Sequence, residues 1–318
     1  MTRVTVLSRS FSRHPVLRAE LLARYPEASF NDAGVSLNGA ELIDALRRHE
    51  KAIVALEPIT ADVLDAVPEL RVIAKYGVGF DKIDLPALIE RRVSLGWTGG
   101  VNRRSVAELV IGFALSILRK LPEANEAVCT NNWHQVVGRQ LSDCTVGIIG
   151  CGHVGQDLGR VLRFGFGCKV LAHDIQDHSL YYAESGVIPV ELEQLLNEAD
   201  VISLHLPYDV STANILNAKR LSTMKPTAIL INTARGGLID EIAMKEMLKA
   251  GTLAGAAFDV FAIEPPEDRE LVELSNFFST PHIGGSTEES ILAMGRAAID
   301  GLDTYRVPEK GLFPPGLW

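Results

Sequence analysis

The chain has 318 residues, which at about 150 residues per domain predicts about two domains, each long enough to bury a core. Apolar residues make up 47% and charged residues 22%, an ordinary globular composition that excludes collagen-like, coiled-coil and disordered chains. The net charge is −9 and the only clusters of basic residues are short pairs, which argues against nucleic acid as a partner.

Cysteine usage and hydropathy favour a cytoplasmic protein. No CxxC pair occurs, and the N-terminus shows no charged start followed by an apolar run. The most apolar helical stretch, 106–118, contains Glu108 and is shorter than the roughly 18 apolar residues of a membrane span, so we expect no transmembrane segment. The four cysteines, which we expect to be reduced, are Cys129, Cys144, Cys151 and Cys168.

Through the first part of the chain, short Val/Ile/Leu-rich runs alternate with longer segments of helical period. This pattern predicts βαβ units around a parallel sheet that is covered on both faces. Thr60 and Asp84 are predicted N-caps. The predicted strands are 4–8, 52–56, 72–76 and 94–97, and the predicted helices are 15–25, 40–50, 60–67 and 84–92.

The alternation starts again at Thr145, which predicts a second α/β domain. Between the two series, 105–121 is predicted to be a long helix whose apolar surface runs most of the way round, so that it must be buried. A last helix is predicted at 287–305, where we expect the chain to return to the first domain. The second set of predicted strands is 145–150, 169–174, 201–206, 228–234 and 254–260, with helices at 155–163, 191–199 and 241–250.

A glycine-rich run, 150–155, follows a predicted strand and opens a predicted helix. It reads Gly-Cys-Gly-His-Val-Gly, the dinucleotide-binding pattern in the context that this pattern requires. Gly150 would make the tight turn, Gly152 would let the backbone approach a pyrophosphate, and Gly155 would allow close packing of helix on strand. We interpret the run as a dinucleotide site, with a glycine-rich turn that binds no ligand as the alternative.

Asp174 ends the next predicted strand, roughly twenty residues on, where a carboxylate can accept hydrogen bonds from the adenosine ribose hydroxyls. The same carboxylate would repel a 2′-phosphate. Neither Ile175 nor Gln176 is an arginine that could neutralise that phosphate, so the sequence favours NAD over NADP.

Polar groups also follow three later strands, at the ends where open α/β sheets bind ligands. They lie in 232–237, 259–266 and 280–285 and include an arginine, acids and a histidine. An arginine can pair with a substrate carboxylate, a histidine can exchange a proton with a substrate oxygen, and an acid can orient that histidine. These groups suit hydride transfer between a hydroxyl and a carbonyl; a loop histidine without a catalytic role is the alternative.

The chain resembles the D-isomer-specific 2-hydroxyacid dehydrogenases, which include phosphoglycerate, glycerate, hydroxypyruvate, D-lactate, formate and phosphite dehydrogenases. The resemblance runs over nearly the whole chain in ordered segments. These segments are 75–84, 105–108, 150–155, 205–207 with Thr212, 225–240, 258–266 and 280–285.

The resemblance implies an α/β fold in which a Rossmann-type NAD-binding domain, 101–285, is inserted in a flavodoxin-like substrate domain, 1–100 and 286–318. It implies that Arg235 binds the substrate carboxylate and carbonyl, and that His282 is the acid/base and pairs with Glu264. The other implied substrate-binding residues are Gly77, Val78, Gly79 and Asn102. The implied cofactor-binding residues are Gly150, Gly152, His153, Val154, Gly155, Asp174, Pro207, Thr212, Thr233, Ala234 and Asp259, the last holding the nicotinamide carboxamide.

The substrate itself stays open between several possibilities. Phosphoglycerate dehydrogenases often carry a basic residue after the strand that corresponds to 52–56, and here Glu57 stands near that place, although Lys75, Arg103 or Arg104 could substitute. The main hypothesis is an NAD-dependent dehydrogenase of a small D-2-hydroxy acid. The alternatives are phosphoglycerate dehydrogenase proper, an NAD(H)-sensing protein like the related corepressors, and a formate- or phosphite-type dehydrogenase.

The remaining expectations concern assembly, individual side chains and metal binding. We expect a homodimer, because the segment 105–121 has more apolar surface than one domain face can cover. Trp133 is expected to be a packing residue, and Cys151 is not expected to be a catalytic thiol. No metal site is predicted, and His173 and His178 are interpreted as surface residues.

Overall fold

The computed structural model describes residues 2–309 and divides them into two compact units. One unit contains the described residues up to Asn102 together with those from Thr287 onward. The other unit runs from Arg103 to Ser286. The second unit is therefore an insertion in the chain of the first.

The first unit is built on a five-stranded parallel sheet in the order β2-β1-β3-β4-β5. Its central strands are apolar at successive positions because both faces are covered: Ala52 and Val54 belong to one core cluster and Ile53 to the other. The strands are β1 (Val4–Val6), β2 (Ser29–Phe30), β3 (Lys51–Val54), β4 (Val72–Lys75) and β5 (Ser94–Gly96).

Five helices accompany this sheet before the chain enters the second unit. Both predicted N-caps are confirmed: Thr60 Oγ1 accepts a hydrogen bond from the Val63 N–H at 3.4 Å, and Asp84 Oδ1 accepts one from the Ala87 N–H at 2.9 Å. The helices are α1 (Arg9–Arg13), α2 (Pro15–Arg24), α3 (Gly39–Leu46), α4 (Ala61–Ala66) and α5 (Leu85–Glu90).

The second unit contains a seven-stranded parallel sheet in the order β12-β11-β10-β9-β6-β7-β8. Two core clusters cover its faces, one of them formed with helix α6. The helices are α6 (Arg103–Leu118), α7 (Leu121–Cys129), α8 (His153–Val161), α9 (Ser179–Ser185), α10 (Leu192–Glu198), α11 (Ala218–Leu221), α12 (Glu241–Ala250) and α13 (Arg269–Val272). The strands are β6 (Thr145–Ile149), β7 (Lys169–His173), β8 (Ile188–Pro189), β9 (Val201–Leu204), β10 (Ile229–Asn232), β11 (Gly255–Phe258) and β12 (Phe277–Ser279).

Helix α6 differs from its predicted bounds of 105–121. It begins two residues earlier and ends at Leu118, because Lys120 has a left-handed backbone with φ of +52° and Pro122 opens a new helix. Burial also corrects the expected apolar circumference, since Glu108 and Gly112 are exposed on one face of α6.

After Ser286 the chain returns to the first unit through α14 (Glu288–Gly301). Thr287 caps this helix by accepting a hydrogen bond from the Ser290 N–H at 3.2 Å. The helix packs against β4 and β5, and the backbones of Gly301 and Gly96 come into contact. The predicted continuation to residue 305 is wrong, because the helix ends at Gly301. Within the described residues, no helix is both long and apolar enough to cross a membrane.

Candidate active site

The turn between β6 and α8 carries the glycine-rich run. Gly150 has φ of +96°, and a Cβ there would lie 2.7 Å from the His205 carbonyl oxygen, so the turn requires glycine. A Cβ on Gly155 would lie 2.1 Å from the Gly150 carbonyl oxygen, which explains why helix and strand can pack so closely. His153 and Val154 form the first turn of α8. Desolvation, and then the Arg103 guanidinium, lower the pKa of His153.

The surroundings of this turn fit a dinucleotide. Gly152 precedes α8 and has no heavy atom within 4 Å of the position its Cβ would take, so there is room above its backbone for a phosphate. Thr233, which follows β10, has a buried hydroxyl oxygen that has no hydrogen-bond partner among residues 2–309. Open space at a helix N-terminus and an unpartnered buried hydroxyl are what a bound nucleotide would fill and satisfy.

Asp174 follows β7, and the protein backbone fixes its carboxylate. One oxygen accepts a hydrogen bond from the Cys151 N–H at 2.5 Å, and the other accepts one from the Gln176 N–H at 2.8 Å. The side chain of His178 lies 3.5 Å from the same carboxylate. The acid is thus held against the glycine-rich turn, and Ile175 beside it is 83% exposed.

The segment after β9 carries two predicted cofactor residues, Pro207 and Thr212. The Thr212 hydroxyl donates to the Pro207 carbonyl oxygen at 2.8 Å and accepts from the Asp209 N–H at 2.8 Å, so it closes this loop on itself. Thr212 therefore shapes the loop that presents Pro207. His205 lies at the base of the loop, within 2.9 Å of the Ser203 hydroxyl, and desolvation lowers its pKa to about 3.

Arg235 lies in the turn after β10. Asn232 shapes this turn by accepting a hydrogen bond from the Ala234 N–H at 3.1 Å and donating to the Arg235 carbonyl at 2.8 Å. A Cβ on Gly236 would lie 2.0 Å from the Phe261 backbone, so glycine lets this turn touch the turn after β11. Sequence reasoning did not assign these roles to Asn232 and Gly236, because the partner backbone is remote in sequence.

Asp259 follows β11 and organises the turn that carries His282. Its buried carboxylate accepts hydrogen bonds from the N–H groups of Ile283 and Gly284, each at 2.7 Å, and from the Thr280 hydroxyl. The role at the nicotinamide stays a prediction, while these contacts give Asp259 a structural role that the sequence did not indicate.

His282 and Glu264 are brought together by this arrangement. His282 Nδ1 lies 2.9 Å from Glu264 Oε2, and the other carboxylate oxygen accepts from the Phe261 N–H at 3.1 Å. Both side chains are partly exposed, at 52% and 40%. A carboxylate on Nδ1 leaves Nε2 as the ring atom that can exchange a proton with a ligand.

The predicted substrate residues Gly77, Val78, Gly79 and Asn102 belong to the first unit, whereas all other predicted site residues belong to the second. Gly77 follows β4 with φ of +109°, a conformation that favours glycine. Trp97 Nε1 donates to the Val78 carbonyl at 3.3 Å, and Asn102 has a buried amide oxygen without a partner in the described chain.

The remaining expectations have mixed outcomes. Burial raises the pKa of the Cys151 thiol to about 11, so the thiol is protonated and unreactive at neutral pH. His173 and His178 are half-buried rather than surface residues. The packing role for Trp133 is wrong, since its side chain is 84% exposed. Among residues 2–309, no three His, Cys, Asp or Glu side chains form a group that could hold a metal ion.

Comparisons with known proteins agree with this geometry. A family model described as the NAD-binding domain of D-isomer specific 2-hydroxyacid dehydrogenases matches residues 111–284. The chain is 36% identical over 289 residues to a glyoxylate reductase of Thermofilum pendens, covering 87% of this chain and 83% of that protein. It is 35% identical over 284 residues to a D-3-phosphoglycerate dehydrogenase of Synechocystis, covering 88% of this chain but only 50% of that protein.

Solved structures show the same relationship. The crystal structure of D-lactate dehydrogenase from Aquifex aeolicus, complexed with NAD and lactic acid, superimposes with a TM-score of 0.81 at 25% identity. The superposition covers 95% of this chain and 94% of the lactate dehydrogenase chain. The chain thus spans about half the length of the phosphoglycerate dehydrogenase that it matches and most of the length of the glyoxylate reductase and the lactate dehydrogenase.

Proposed function

This chain belongs to the D-isomer specific 2-hydroxyacid dehydrogenases, NAD-dependent enzymes that act on CH–OH groups, and on that premise we propose that it interconverts a small D-2-hydroxy acid and its 2-oxo acid. The observation that carries the proposal is the contact of 2.9 Å between Glu264 and His282, in the same unit as the glycine-rich turn. It supplies a proton carrier whose orientation is fixed by a charged partner.

The proton belongs to His282 in this proposal. In reduction of the oxo acid, Nε2 donates a proton to the carbonyl oxygen, and in oxidation of the hydroxy acid it accepts the hydroxyl proton. Glu264 stabilises the charged imidazolium and keeps Nδ1 turned away from the substrate. NAD, which the glycine-rich turn and Asp174 would hold, would supply the hydride acceptor for oxidation and, as NADH, the hydride donor for reduction.

Arg235 is assigned to the substrate carboxylate, because a guanidinium offers two parallel N–H groups to two carboxylate oxygens. In the other unit, the proposed substrate contacts are the backbone N–H groups of the turn formed by Gly77, Val78 and Gly79 and the side-chain amide of Asn102. We assign cofactor binding to the unit 103–286 and these additional substrate contacts to the other unit.

The proposed cofactor contacts follow from where these residues lie in the unit 103–286. Gly152, His153 and Val154 present backbone N–H groups at the start of α8 to the pyrophosphate. Asp174 takes the ribose hydroxyls, and Thr233 and Asp259 lie toward the nicotinamide end of the proposed site. Pro207 and Ala234 supply apolar contacts along its length.

Two of the cations considered for a substrate phosphate are engaged elsewhere. Arg104 forms a two-point pair with Asp157, with both N–O distances at 2.8 Å. Lys75 is 5% exposed, and its Nζ donates to the Ala55 carbonyl at 2.6 Å. Glu57 is buried beside Ala55 and accepts its N–H at 2.6 Å. The contacts around this strand end therefore favour an unphosphorylated substrate over 3-phosphoglycerate.

We further propose a homodimer in the cytoplasm. The exposed face of α6 includes Gly112, where a Cβ would have no heavy atom within 4 Å. Four apolar residues in the segment after α6 are 49% to 88% exposed. Apolar side chains that are so close in sequence and so exposed favour contact with a second copy. These residues are Leu121, Val128, Trp133 and Val137. All four cysteines are free, as is typical of a reducing compartment.

Turnover tests the proposed function. Purified protein with NADH is offered glyoxylate, pyruvate, hydroxypyruvate and phosphohydroxypyruvate while nicotinamide absorbance is followed, and the reverse reaction is run with NAD and D- or L-hydroxy acids. We expect reduction of at least one small oxo acid and oxidation of the D-isomer only. Formate and phosphite are included to test the oxyanion alternative.

Arg235→Ala and Arg235→Lys sharpen this experiment. We expect kcat/KM for the oxo acid to fall by roughly 10² or more in the alanine variant and less in the lysine variant, with NADH affinity retained. Arg269→Ala, which removes an exposed arginine from the same unit, is the control. Tight NADH binding without turnover of any substrate would contradict the enzyme and favour a nucleotide-sensing protein.

A further inference from the structure

One peptide bond in the second unit lies where the turns that carry Arg235 and Glu264 meet. It joins Phe261 to Ala262, in the segment that follows β11. A Cβ on Gly236 would lie 2.0 Å from the Phe261 carbonyl carbon and 2.3 Å from the Ala262 nitrogen, so this peptide rests against the backbone beside Arg235. The position of the peptide therefore affects both turns.

Two carboxylates accept the consecutive N–H groups of Phe261 and Ala262. Glu264 Oε1 accepts from the Phe261 N–H at 3.1 Å, and the other oxygen of the same carboxylate lies 2.9 Å from His282 Nδ1. Glu241 Oε1 accepts from the Ala262 N–H at 3.2 Å. A shift of this segment would therefore move the backbone group that anchors Glu264 beside the histidine.

Glu241 reaches the segment from a different element. It is the first residue of α12, and Asp240 caps this helix by accepting a hydrogen bond from the Ala243 N–H at 3.0 Å. The cap fixes the backbone from which the Glu241 side chain extends. An acid in the first turn also interacts favourably with the helix dipole, a structural role that is separate from the contact with Ala262.

The segment borders a cavity of about 210 Å³, whose lining includes Glu241, Phe261, Ala262 and Ile263 but not Gly236. Desolvation raises the pKa of Glu241, and the hydrogen bond from Ala262 acts in the opposite direction. The carboxylate is thus partly removed from water where it accepts this N–H group. Gly236 blocks the peptide on one side, the cavity leaves room for movement, and the hydrogen bond to Glu241 restrains that movement.

We propose that Glu241 is a positioning residue for hydride transfer: it holds the peptide between Phe261 and Ala262 against Gly236 and thereby keeps Glu264 at His282. This role rests on the proposed function, because it concerns the proton carrier of that reaction. Glu241 acts through the backbone rather than on the substrate. Small displacements of reacting groups lower rates strongly, so a restraint at this distance affects turnover.

Three substitutions at position 241 separate the hydrogen bond from the charge. Glu241→Gln keeps an oxygen acceptor at the same reach but removes the charge at the start of α12. Glu241→Asp keeps the charge, but its side chain is one methylene shorter and loses the contact with Ala262. Glu241→Ala removes both. Glu246→Ala, at an exposed position of the same helix, is the matched control.

The variants are compared with NADH and the oxo acid that wild type reduces fastest. We expect kcat to fall by roughly tenfold in Glu241→Ala and Glu241→Asp and to stay within about twofold of wild type in Glu241→Gln. KM for the oxo acid and NADH affinity should be unchanged, because Asn232 shapes the Arg235 turn independently. Equal losses in Glu241→Gln and Glu241→Ala would assign Glu241 to helix stability alone and overturn the proposal.

A double-mutant cycle tests whether Glu241 acts through Glu264. In a Glu264→Ala background, Glu241→Ala should lower kcat by less than about twofold, against roughly tenfold in the wild-type background. Effects that multiply would overturn the route through Glu264. Thermal unfolding checks that each variant folds.

The imidazole of His282 provides a measurement without turnover. Ring-nitrogen resonances of isotope-labelled histidine, assigned with His282→Asn, report the surroundings of Nδ1 beside Glu264. We expect Glu241→Ala and Glu241→Asp to shift these resonances, and Glu241→Gln and Glu246→Ala to leave them unchanged. Unchanged resonances in Glu241→Ala would overturn the proposal. A shift in a protein that reduces no oxo acid would support the placement of Glu264 by Glu241 and contradict the proposed dehydrogenase activity.

Discussion

At the residue scale, the backbone of His282 shows how the proposed proton carrier is held. Its φ of +55° is a left-handed conformation that costs a non-glycine residue roughly 1–2 kcal/mol. Three hydrogen bonds to the Asp259 carboxylate, from Thr280, Ile283 and Gly284, enclose the residue on both sides and offset this cost. The ring therefore meets Glu264 because of a turn that Asp259 stabilises.

The first prediction concerns the proton carrier. His282→Ala should lower kcat by about 10² or more in both directions, with NADH affinity retained in a fluorescence titration. Glu264→Gln keeps a hydrogen-bond acceptor for His282 but removes the charged partner, so kcat should fall by less than in the alanine variant. Glu246→Gln, an exposed change in α12, is the control. Near-wild-type turnover of the alanine variant would be incompatible with this role.

The second prediction concerns Asp174 and cofactor choice. We expect wild type to prefer NAD over NADP by at least about tenfold in kcat/KM, about 1.4 kcal/mol, because the carboxylate repels a 2′-phosphate. Asp174→Asn retains an acceptor for the Cys151 N–H, so it tests the negative charge without removing this hydrogen bond. It should reduce the preference for NAD mainly by raising kcat/KM for NADP. Equal kcat/KM values for the two cofactors in wild type would refute the assignment.

At the scale of elements, Gly152 and Gly155 at the β6–α8 turn have different roles. Gly155 is required by packing, because its missing side chain lets α8 approach the Gly150 carbonyl. No contact with another described residue requires glycine at position 152, because a Cβ there would have no heavy atom within 4 Å. Its φ of −76° also suits any residue. The free space beside Gly152 is what the proposed pyrophosphate needs.

The third prediction follows from this difference. Gly155→Ala should reduce the free energy of unfolding by roughly 1–3 kcal/mol, because backbone must move to admit the Cβ. Gly152→Ala should change it by less than about 0.5 kcal/mol and still weaken NADH binding by roughly tenfold or more. Urea unfolding and a fluorescence titration with NADH measure the two effects. If Gly152→Ala binds NADH like wild type, the pyrophosphate does not lie at this turn.

At the scale of the whole molecule, the desolvation of one histidine makes the free energy of unfolding depend on pH. His205 is half-buried beside the Ser203 hydroxyl, and desolvation lowers its pKa to about 3, below the value of about 6.5 in an unfolded chain. The unfolded state therefore binds the proton more readily. Stability from this residue is present above pH 6.5 and is lost as the pH falls toward 3.

The fourth prediction measures this coupling. Between pH 7 and pH 5, wild type should lose roughly 2 kcal/mol of unfolding free energy through His205, in addition to what other groups contribute. His205→Asn should have a correspondingly shallower dependence, whereas His134→Asn, at a partly exposed position, should behave as wild type. Urea unfolding at several pH values gives the comparison, and identical slopes for wild type and His205→Asn would contradict it.

The fifth prediction concerns assembly. Light scattering of the purified chain should give twice the monomer mass of 34.6 kDa at micromolar concentration. Trp133→Glu combined with Val137→Glu should give monomers, because charge on both exposed side chains opposes burial against a second copy. Ile242→Glu, at an exposed position in α12, should remain dimeric. A monomeric wild type would refute the proposed dimer.

The features that could be predicted from the amino-acid sequence are those that depend on residues close together in the chain. Strands buried on both faces are apolar at most positions, so the alternation of strands and helices could be predicted, and so could the caps at Thr60 and Asp84. The glycine-rich run was recognisable because its three glycines and the adjoining strand and helix are contiguous. The pairing of His282 with Glu264 was implied by family resemblance rather than by spacing.

Tertiary structure decided what depends on segments that meet from distant parts of the chain. The Phe261 backbone requires glycine at position 236, and Asp259 supports the His282 turn, because neighbouring parallel strands end side by side. The segments that follow β1 and β3 lie side by side because the sheet places β3 beside β1, although about fifty residues separate them along the chain. Local sequence pattern encodes each segment's conformation, whereas strand order determines which side chains share a site.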